Sequence, residues 1–414
     1  MTYNIVIVGA GTAGLMSAYL LAKSGQKNIV VLEKENGAGK KLKAAGNGKC
    51  NITNRCFSKE HFHSEERTSL EKVLDEFSYE AVLRLFDELG IATYEQNGYY
   101  YPLSNQGKQV VDILYKRCVG LGVQFSFQSY VTKIESVEKQ YRITLTDTTG
   151  KKTITGDKLI MAAGGMAYPS LGGCDKSYYV LNRMHMKLIK CYPCLTPIYI
   201  EDNDLKLAKG VRVNGMVVIT SKSGDVQKER GQIQFNENNI SGICVMNLSS
   251  VYNLGWSQEN HYDIYIDLLP DYREDEIQAS FKQHIGDYPE EDLVDFLDCF
   301  LPDPLSQYIQ KRFGDNKKIT DLTEKEIGQI LHLLKHFDLN GVYHPDYSKA
   351  QVTGGGVSLT EVNHDTFESR MYPNLYIIGE LLDVNGDCGG YNISFAILSA
   401  KKAAEAIQNK EEDK

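Results

Sequence analysis

Apolar positions first gather at the start of the chain, where Ile5-Val6-Ile7-Val8 form an unbroken run of strand length. The run leads straight into Gly9-Ala10-Gly11-Thr12-Ala13-Gly14, after which Leu15, Ala18, Tyr19, Leu21 and Ala22 recur at helical spacing. A second short run, Asn28 to Leu32, reads as the next strand and ends in Glu33. Further on, Leu70 to Leu89 has helical spacing with Gly90 as a stop, and Gly107 to Leu121 predicts another helix. A strand around Val123–Phe127 follows, then a meander of alternating strands at Tyr130–Ser136, Tyr141–Asp147 and Lys152–Thr155. Lys158-Leu-Ile-Met-Ala162-Ala163-Gly164-Gly165 has no alternation and reads as a separate, buried parallel strand ending in a glycine turn.

From about Cys191 the pattern changes. Thr196–Ile200, Val211–Val213, Gly215–Thr220, Gly231–Phe235 and Tyr262–Asp267 alternate or are β-branched, predicting an inserted antiparallel sheet or small barrel. Helical spacing then dominates at Glu274–His284, Glu291–Phe300, Pro304–Phe313 and Glu324–Leu334, before a strand-like Phe337–His344. The last elements are a strand ending at Gly379-Glu380 and a helix from Ile393 to Gln408. The expected fold is α/β. A discontinuous Rossmann-type domain spans 1–190 and 345–414, with an inserted β domain at 191–270 and 335–344 and a helical subdomain at 271–334.

The first strand, turn and helix set the chemistry. Gly9 allows a sharp turn, Gly11 leaves room for a pyrophosphate, and Gly14 lets the helix pack close on the strand. The helix start offers free N–H groups to phosphate. Glu33, nineteen residues after Gly14, is placed to accept from ribose hydroxyls. With strand, helix and acid all in place, this is a dinucleotide-binding turn. The loop from Lys34 to Asn54 has lost apolar periodicity. Lys40 and Lys41 could balance phosphate charge, and Asn47, Asn51 and Asn54 supply donors and acceptors.

Composition narrows the classes. With 414 residues, two or three domains are expected. The net charge of −9, with no basic block, argues against non-specific binding to nucleic acid or anionic membrane. No apolar run is long enough to span a bilayer, and the first strand begins too near Met1 for an export signal, so a cytoplasmic protein is expected. Nine scattered cysteines suit a reducing compartment. Cys191-Tyr-Pro-Cys194 precedes a strand-like stretch, the wrong context for a redox pair. His332 and His336 share a helix face without an intervening acid, and no metal site is expected.

Gly39-Lys40-Lys41 followed by Gly46-Asn47-Gly48-Lys49-Cys50-Asn51-Ile52-Thr53-Asn54 resembles the signature of the BaiN/YhiN-like flavoproteins, also labelled the aminoacetone oxidase family. Ala45 replaces that family's Ser and Lys49 its Arg, which keeps the charge but loses the planar fork. Similar segments are Gly98–Ser104, with Tyr101 for Phe; Ala162–Gly165, with Ala163 for Thr; Tyr168-Pro169; and Asn239–Ser250, with Ile243 for Pro. The C-terminal Val352–Val357 and Gly379-Glu380, Asp383, Gly386, Gly389-Gly390-Tyr391-Asn392 match it closely. The resemblance implies FAD, held by Gly9, Gly11, Ala13, Gly14, Glu33, Lys34, Lys40, Lys41, Asn47, Gly48, Cys50 and Asn51. It also implies Val131 at the adenine, then Ala163, Gly164, Gly379, Glu380, Asp383, Gly390, Tyr391, Asn392 and Ile393.

A second dinucleotide turn is missing from the middle of the chain, so no dedicated NAD(P)H domain is expected. Either NAD(P)H docks transiently as donor or a substrate is oxidised and oxygen takes the electrons. The reading is an FAD-dependent oxidoreductase that moves a hydride between flavin N5 and a small organic substrate, such as an enone reduced by NAD(P)H. The alternatives are an amine or aminoketone oxidase, a flavin-containing RNA-modifying protein, and a protein in which flavin is structural. Tyr391, Tyr168 and Tyr101 are the candidate proton donors. A small-molecule partner is expected, with neither nucleic acid nor membrane.

Overall fold

The computed structural model describes residues 1–412 and folds as two compact units, Met1–Pro193 with Ala350–Lys414, and Cys194–Lys349. In the first unit the central sheet runs Gln124–Ser126, Ile29–Leu32, Thr2–Val8, Gly150–Met161, Gln140–Asp147, Tyr130–Val137. Leu375–Ile377 adds a parallel strand beside the far half of Gly150–Met161. Leu32, Val8, Met161 and Ile377 stand level across this sheet, because Val8 pairs with both Leu32 and Met161, and Met161 with Ile377. Four parallel strands therefore end along one line, the edge at which open α/β sheets bind their ligands. Ile5, Ile7, Val31, Leu159, Ile160 and Leu375 to Ile378 are buried, each worth roughly 1.5–3 kcal/mol against exposure.

The sequence divides Gly150–Met161 into two strands, but it is one. It pairs antiparallel with Gln140–Asp147 as far as Gly156, and parallel with Thr2–Val8 from Thr155 onward. Its first residues, Gly150 to Thr153, are exposed, whereas Leu159, Ile160 and Met161 at its end are buried. Gly156 marks the passage, since a Cβ there would come within 2.7 Å of Val6 Cγ2. The expected helix Leu70–Leu89 is instead two, Arg67–Leu74 and Tyr79–Glu88. The second starts afresh at Ser78, whose side chain accepts from the Ala81 amide at 3.2 Å.

The second unit has its own core around Phe235, Phe281, Phe296 and Phe337. Its antiparallel sheet has the order Phe337–Leu339, Tyr262–Asp267, Arg212–Ser221, Val226–Phe235, Asn239–Ser241, Ile198–Ile200, Gly341–Val342. The two edge strands are consecutive in sequence, so the sheet curls until its edges nearly meet. Val211–Val213 and Gly215–Thr220, read separately from the sequence, belong to the single strand Arg212–Ser221. The helix Ile243–Ser257 is absent from the sequence reading. Cys244, Val245, Leu248, Ser249, Ser250 and Tyr252 are all buried, so it shows no polar stripe by which to recognise it. Among the described residues no helix is long and apolar enough to cross a membrane.

Candidate functional site

The turn after the first strand is built by close approach. A Cβ on Gly14 would lie 1.9 Å from the Gly9 carbonyl oxygen, and one on Gly9, at φ +103°, 2.4 Å from that of Ala162. Gly11 differs, because a Cβ there would meet nothing within 4 Å and its outward side is open. The helix Thr12–Lys23 begins at Gly11 with no side-chain cap and no acid in its first turn. Its unsatisfied N–H groups and partial positive charge are thus left for an anion.

Glu33 closes the same turn. Its carboxylate accepts from the Ala10 amide at 2.7 Å and the Glu35 amide at 2.8 Å. Lys34 and Lys40 both reach Glu35, at 2.6 and 2.5 Å, and these bonds hold the Glu35 carboxyl below its ordinary range. The backbone of Ser126–Ser129 runs alongside: Glu33 N donates to Ser126 O, and Ser129 N to Glu33 O at 2.8 Å. Val131 follows at a register shift in its strand, two residues beyond this contact with Glu33.

The far end of the chain returns to this turn. A Cβ on Gly379, at φ +68°, would touch Ala13 Cβ at 3.0 Å and Ala396 Cβ at 3.8 Å. Lys41 Nζ donates to both Glu380 oxygens, at 2.8 and 2.6 Å, and Glu380 also accepts from the Thr353 amide at 3.0 Å. Gly165 belongs to the same cluster, because a Cβ there would fall 2.9 Å from Glu380 Oε1. Ala163 and Gly164 lead into it from the strand Gly150–Met161, with Gly164 at φ +73°. Asp383 is buried. It accepts from Ser64 Oγ and the Glu65 amide, each at 2.9 Å, and burial pushes its carboxyl above the usual range.

The loop 45–54 meets the start of the helix Tyr391–Glu412. Gly390 approaches so closely that a Cβ would sit 2.7 Å from the Thr53 amide and 3.0 Å from Asn51 Oδ1. Ser394 Oγ bonds Thr53 Oγ1 at 2.8 Å, and Asn392 closes its own loop through Gly386 N and O at 2.8 and 2.7 Å. Ile393 is half-buried in the same turn. Asn51 Oδ1 is buried with no hydrogen-bond partner among the described residues. Asn47 and Cys50 take left-handed backbone at φ +55° and +64°, and Gly48 shares the loop. Cys50 is buried, which pushes its thiol up to about 12 and removes it from thiolate chemistry.

Of the three tyrosines, Tyr391 is buried and spends its hydroxyl on Cys56 O at 3.1 Å, and burial pushes its phenol well above the ordinary value. Tyr101 lies on the strand Tyr99–Pro102, stacked on Tyr94 at 5.7 Å, and burial raises its phenol also. Tyr168 holds a strained left-handed backbone at φ +54°. Sequence reasoning missed a different group. Asp387, 9% exposed, binds His61 Nδ1 at 3.0 Å through one oxygen and His63 Nε2 at 2.9 Å through the other. His61 stacks on Tyr391 at 4.6 Å. The available signal was His61-Phe62-His63, a spacing that puts both rings on one face of a strand. In the second unit His332, His336 and Asp338 offer ligand atoms within 4.8 Å of one another. Cys191 and Cys194 lie in the strand Leu188–Cys194, and no disulfide forms among the described residues.

An open parallel sheet with a glycine turn at its ligand-binding edge, closed by a C-terminal segment, defines a Rossmann-type protein. The chain belongs to the HI0933-like protein Rossmann domain family, whose model matches residues 3–406. The resemblance to the BaiN/YhiN-like proteins read from the sequence is borne out by that match. The chain is 29% identical to a 3-dehydro-bile acid delta(4,6)-reductase of Clostridium scindens, over 97% of this chain and 99% of that one. It is 27% identical to a ribosomal RNA dihydrouridine synthase of Haemophilus influenzae, over 97% and 98%. Among solved structures, the FrdA subunit of Escherichia coli quinol fumarate reductase superposes at a TM-score of 0.51 with 14% identity, covering 99% of this chain and 70% of that one, a likeness of fold.

Proposed function

We propose that the protein is an FAD-dependent oxidoreductase that saturates a carbon–carbon double bond conjugated to a carbonyl. The observation that carries this reading is the meeting of Gly379 with Ala13, and of Gly390 with Asn51 and Thr53, which draws both ends of the chain around one elongated site. A long, phosphate-bearing cofactor fits the groups present. The open side of Gly11 and the uncapped helix start suit the pyrophosphate, Glu33 the ribose, and Lys41, Glu380 and the orphaned Asn51 oxygen the polar remainder. FAD bound there would supply a hydride donor and acceptor, while the helix start at Tyr391 would favour negative charge beside it. The full list of cofactor contacts given above is part of this proposal, as is transient docking of NAD(P)H.

The names of the relatives support the reaction class. A 3-oxo-Δ4,6 bile acid and the uracil ring of uridine both carry a double bond conjugated to a carbonyl. A small, uncharged substrate is the preferred one, since the chain holds 54 Asp and Glu against 45 Lys and Arg with no basic block. Such an excess of acid repels a polyanion. Uridine within ribosomal RNA is the second reading, favoured by the Haemophilus influenzae relative.

The test is anaerobic. The purified protein, yellow with FAD, should bleach with NADH or NADPH and recover its colour when a conjugated enone is added. Recovery only with ribosomal RNA would select the second reading. Recovery only with oxygen, after reduction by an amine or aminoketone, would replace the reductase with an oxidase. A colourless protein that takes up no flavin would end the proposal.

A further inference from the structure

Reducing such a double bond takes a hydride at one carbon and a proton at the other, and the proposed reading leaves the source of the proton unassigned. Two of the three candidate tyrosines are poorly suited, because burial makes Tyr391 and Tyr101 weaker acids and Tyr391 already donates to Cys56 O. The strands Phe62–His63 and Asn385–Gly386 pair antiparallel, with His63 opposite Asn385. His61 ends the 3-10 turn just before the first of these strands and Asp387 directly follows the second, so the two meet at the same end of the ribbon. Asp387 N also donates to His61 O at 2.9 Å, fixing the loop against the strand.

A carboxylate only accepts, so His61 Nδ1 and His63 Nε2 each donate to Asp387. Burial pushes the Asp387 carboxyl up, yet the bonds from the two imidazoles outweigh it and leave the group below its ordinary value. Both histidine side chains keep about a third of their surface, 36% and 37%, in contact with solvent. Asp383, four residues earlier, shows what a structural tie of this segment requires. A serine hydroxyl and a backbone amide suffice there, with no donor that titrates near neutral pH. Two imidazoles on one carboxylate instead store exchangeable protons at the first turn of the helix Tyr391–Glu412. That turn is the one on which the FAD reading places the reacting end of the cofactor.

We propose that His61 and His63, held by Asp387, are the proton source for the reduction. The inference rests on the conjugated-carbonyl reading. With FAD bound as hydride donor to the β-carbon, the π bond of the substrate would break and its α-carbon would take a proton from an imidazolium. The imidazole regains that proton from water, and a nicotinamide nucleotide restores the reduced cofactor. Asp387 is a positioning residue. Other groups facing the pair are Tyr391, with Cys56 and Tyr99 beside it, and on the pair's own segment Glu60, Glu65 and Lys59, the last paired with Asp75.

The experiment uses the full-length, FAD-loaded protein and the variants His61→Gln, His63→Gln, their double, and Asp387→Asn. The rate of bleaching by the nicotinamide donor, measured on each variant, is the reference against which recovery of colour is read. Recovery of colour with the enone should slow roughly 100-fold or more in the double variant. Wild-type recovery should fall as pH rises, because protonated donors are lost, and the double variant should lose that dependence. Independently of turnover, the histidine ring resonances, assigned by their loss in the single variants, should move in Asp387→Asn, because both rings lose the oxygen they donate to. Recovery in the double variant within two-fold of wild type overturns the proposal while the reductase reading stands. Unmoved histidine resonances in Asp387→Asn overturn the role of Asp387. A wild-type protein that no conjugated carbonyl reoxidises overturns the reductase reading, and the proton role falls with it.

Discussion

Glu33 illustrates how one side chain serves both fold and site. The sequence marks it as a ribose acceptor by its distance from Gly14. In the structure its two oxygens also hold the Ala10 and Glu35 amides, so the carboxylate shapes the turn it serves. Losing a charge-assisted bond of this kind costs about 2 kcal/mol, roughly thirty-fold in affinity. Glu33→Ala should therefore purify with markedly less flavin, read as the ratio of visible to ultraviolet absorbance, and full occupancy would remove Glu33 from the site. Glycines were legible at this scale because steric need fixes residue type: nothing else fits 1.9 Å from a carbonyl oxygen. The His61–Asp387–His63 group was not. Asp387 lies more than three hundred residues from the two histidines, and only the pairing of two very short strands joins them.

Among the elements, those with a pattern of one kind along their length were readable. Gly107–Gly120 and Tyr262–Asp267 fall where spacing puts them. Gly150–Met161 divides in the pattern because its surroundings change halfway along, and Ile243–Ser257 escapes it because buried Ser249, Ser250 and Asn253 blur the apolar face. Thr323-Glu-Lys-Glu326 at the start of the helix Glu324–Lys335 is a capping box: Thr323 Oγ1 accepts from the Glu326 amide, and Glu326 accepts from the Thr323 amide at 2.8 Å. Thr323→Ala should cost about 1 kcal/mol, seen as a lower midpoint in thermal or urea unfolding. Lys317 and Thr323 hold the Glu326 carboxyl down to about 2. Its contribution is therefore complete above the ordinary carboxylate range and is lost as pH falls toward that value. The penalty for breaking the cap should shrink in acid, and an equal penalty at pH 7 and pH 2 would contradict this account.

At the scale of the whole molecule, the two units differ in how the chain supplies them. Met1–Pro193 with Ala350–Lys414 is assembled from two remote segments, whereas Cys194–Lys349 is contiguous and encloses its own core. Expressed alone, residues 194–349 should unfold in one cooperative thermal transition. A gradual transition with dye-binding apolar surface would show that its core depends on the rest of the chain. The amino-acid sequence by itself determined the turn from Gly9 to Gly14, the acid that follows it and the acidic balance of the chain. These depend on local sterics, periodicity and charge, which are properties of neighbouring residues. Tertiary structure alone decided which remote groups touch: Lys41 with Glu380, Gly379 with Ala13, and two histidines with one buried aspartate. Strand register makes those contacts, and register is set by the packing of the whole core rather than by any local stretch of the chain.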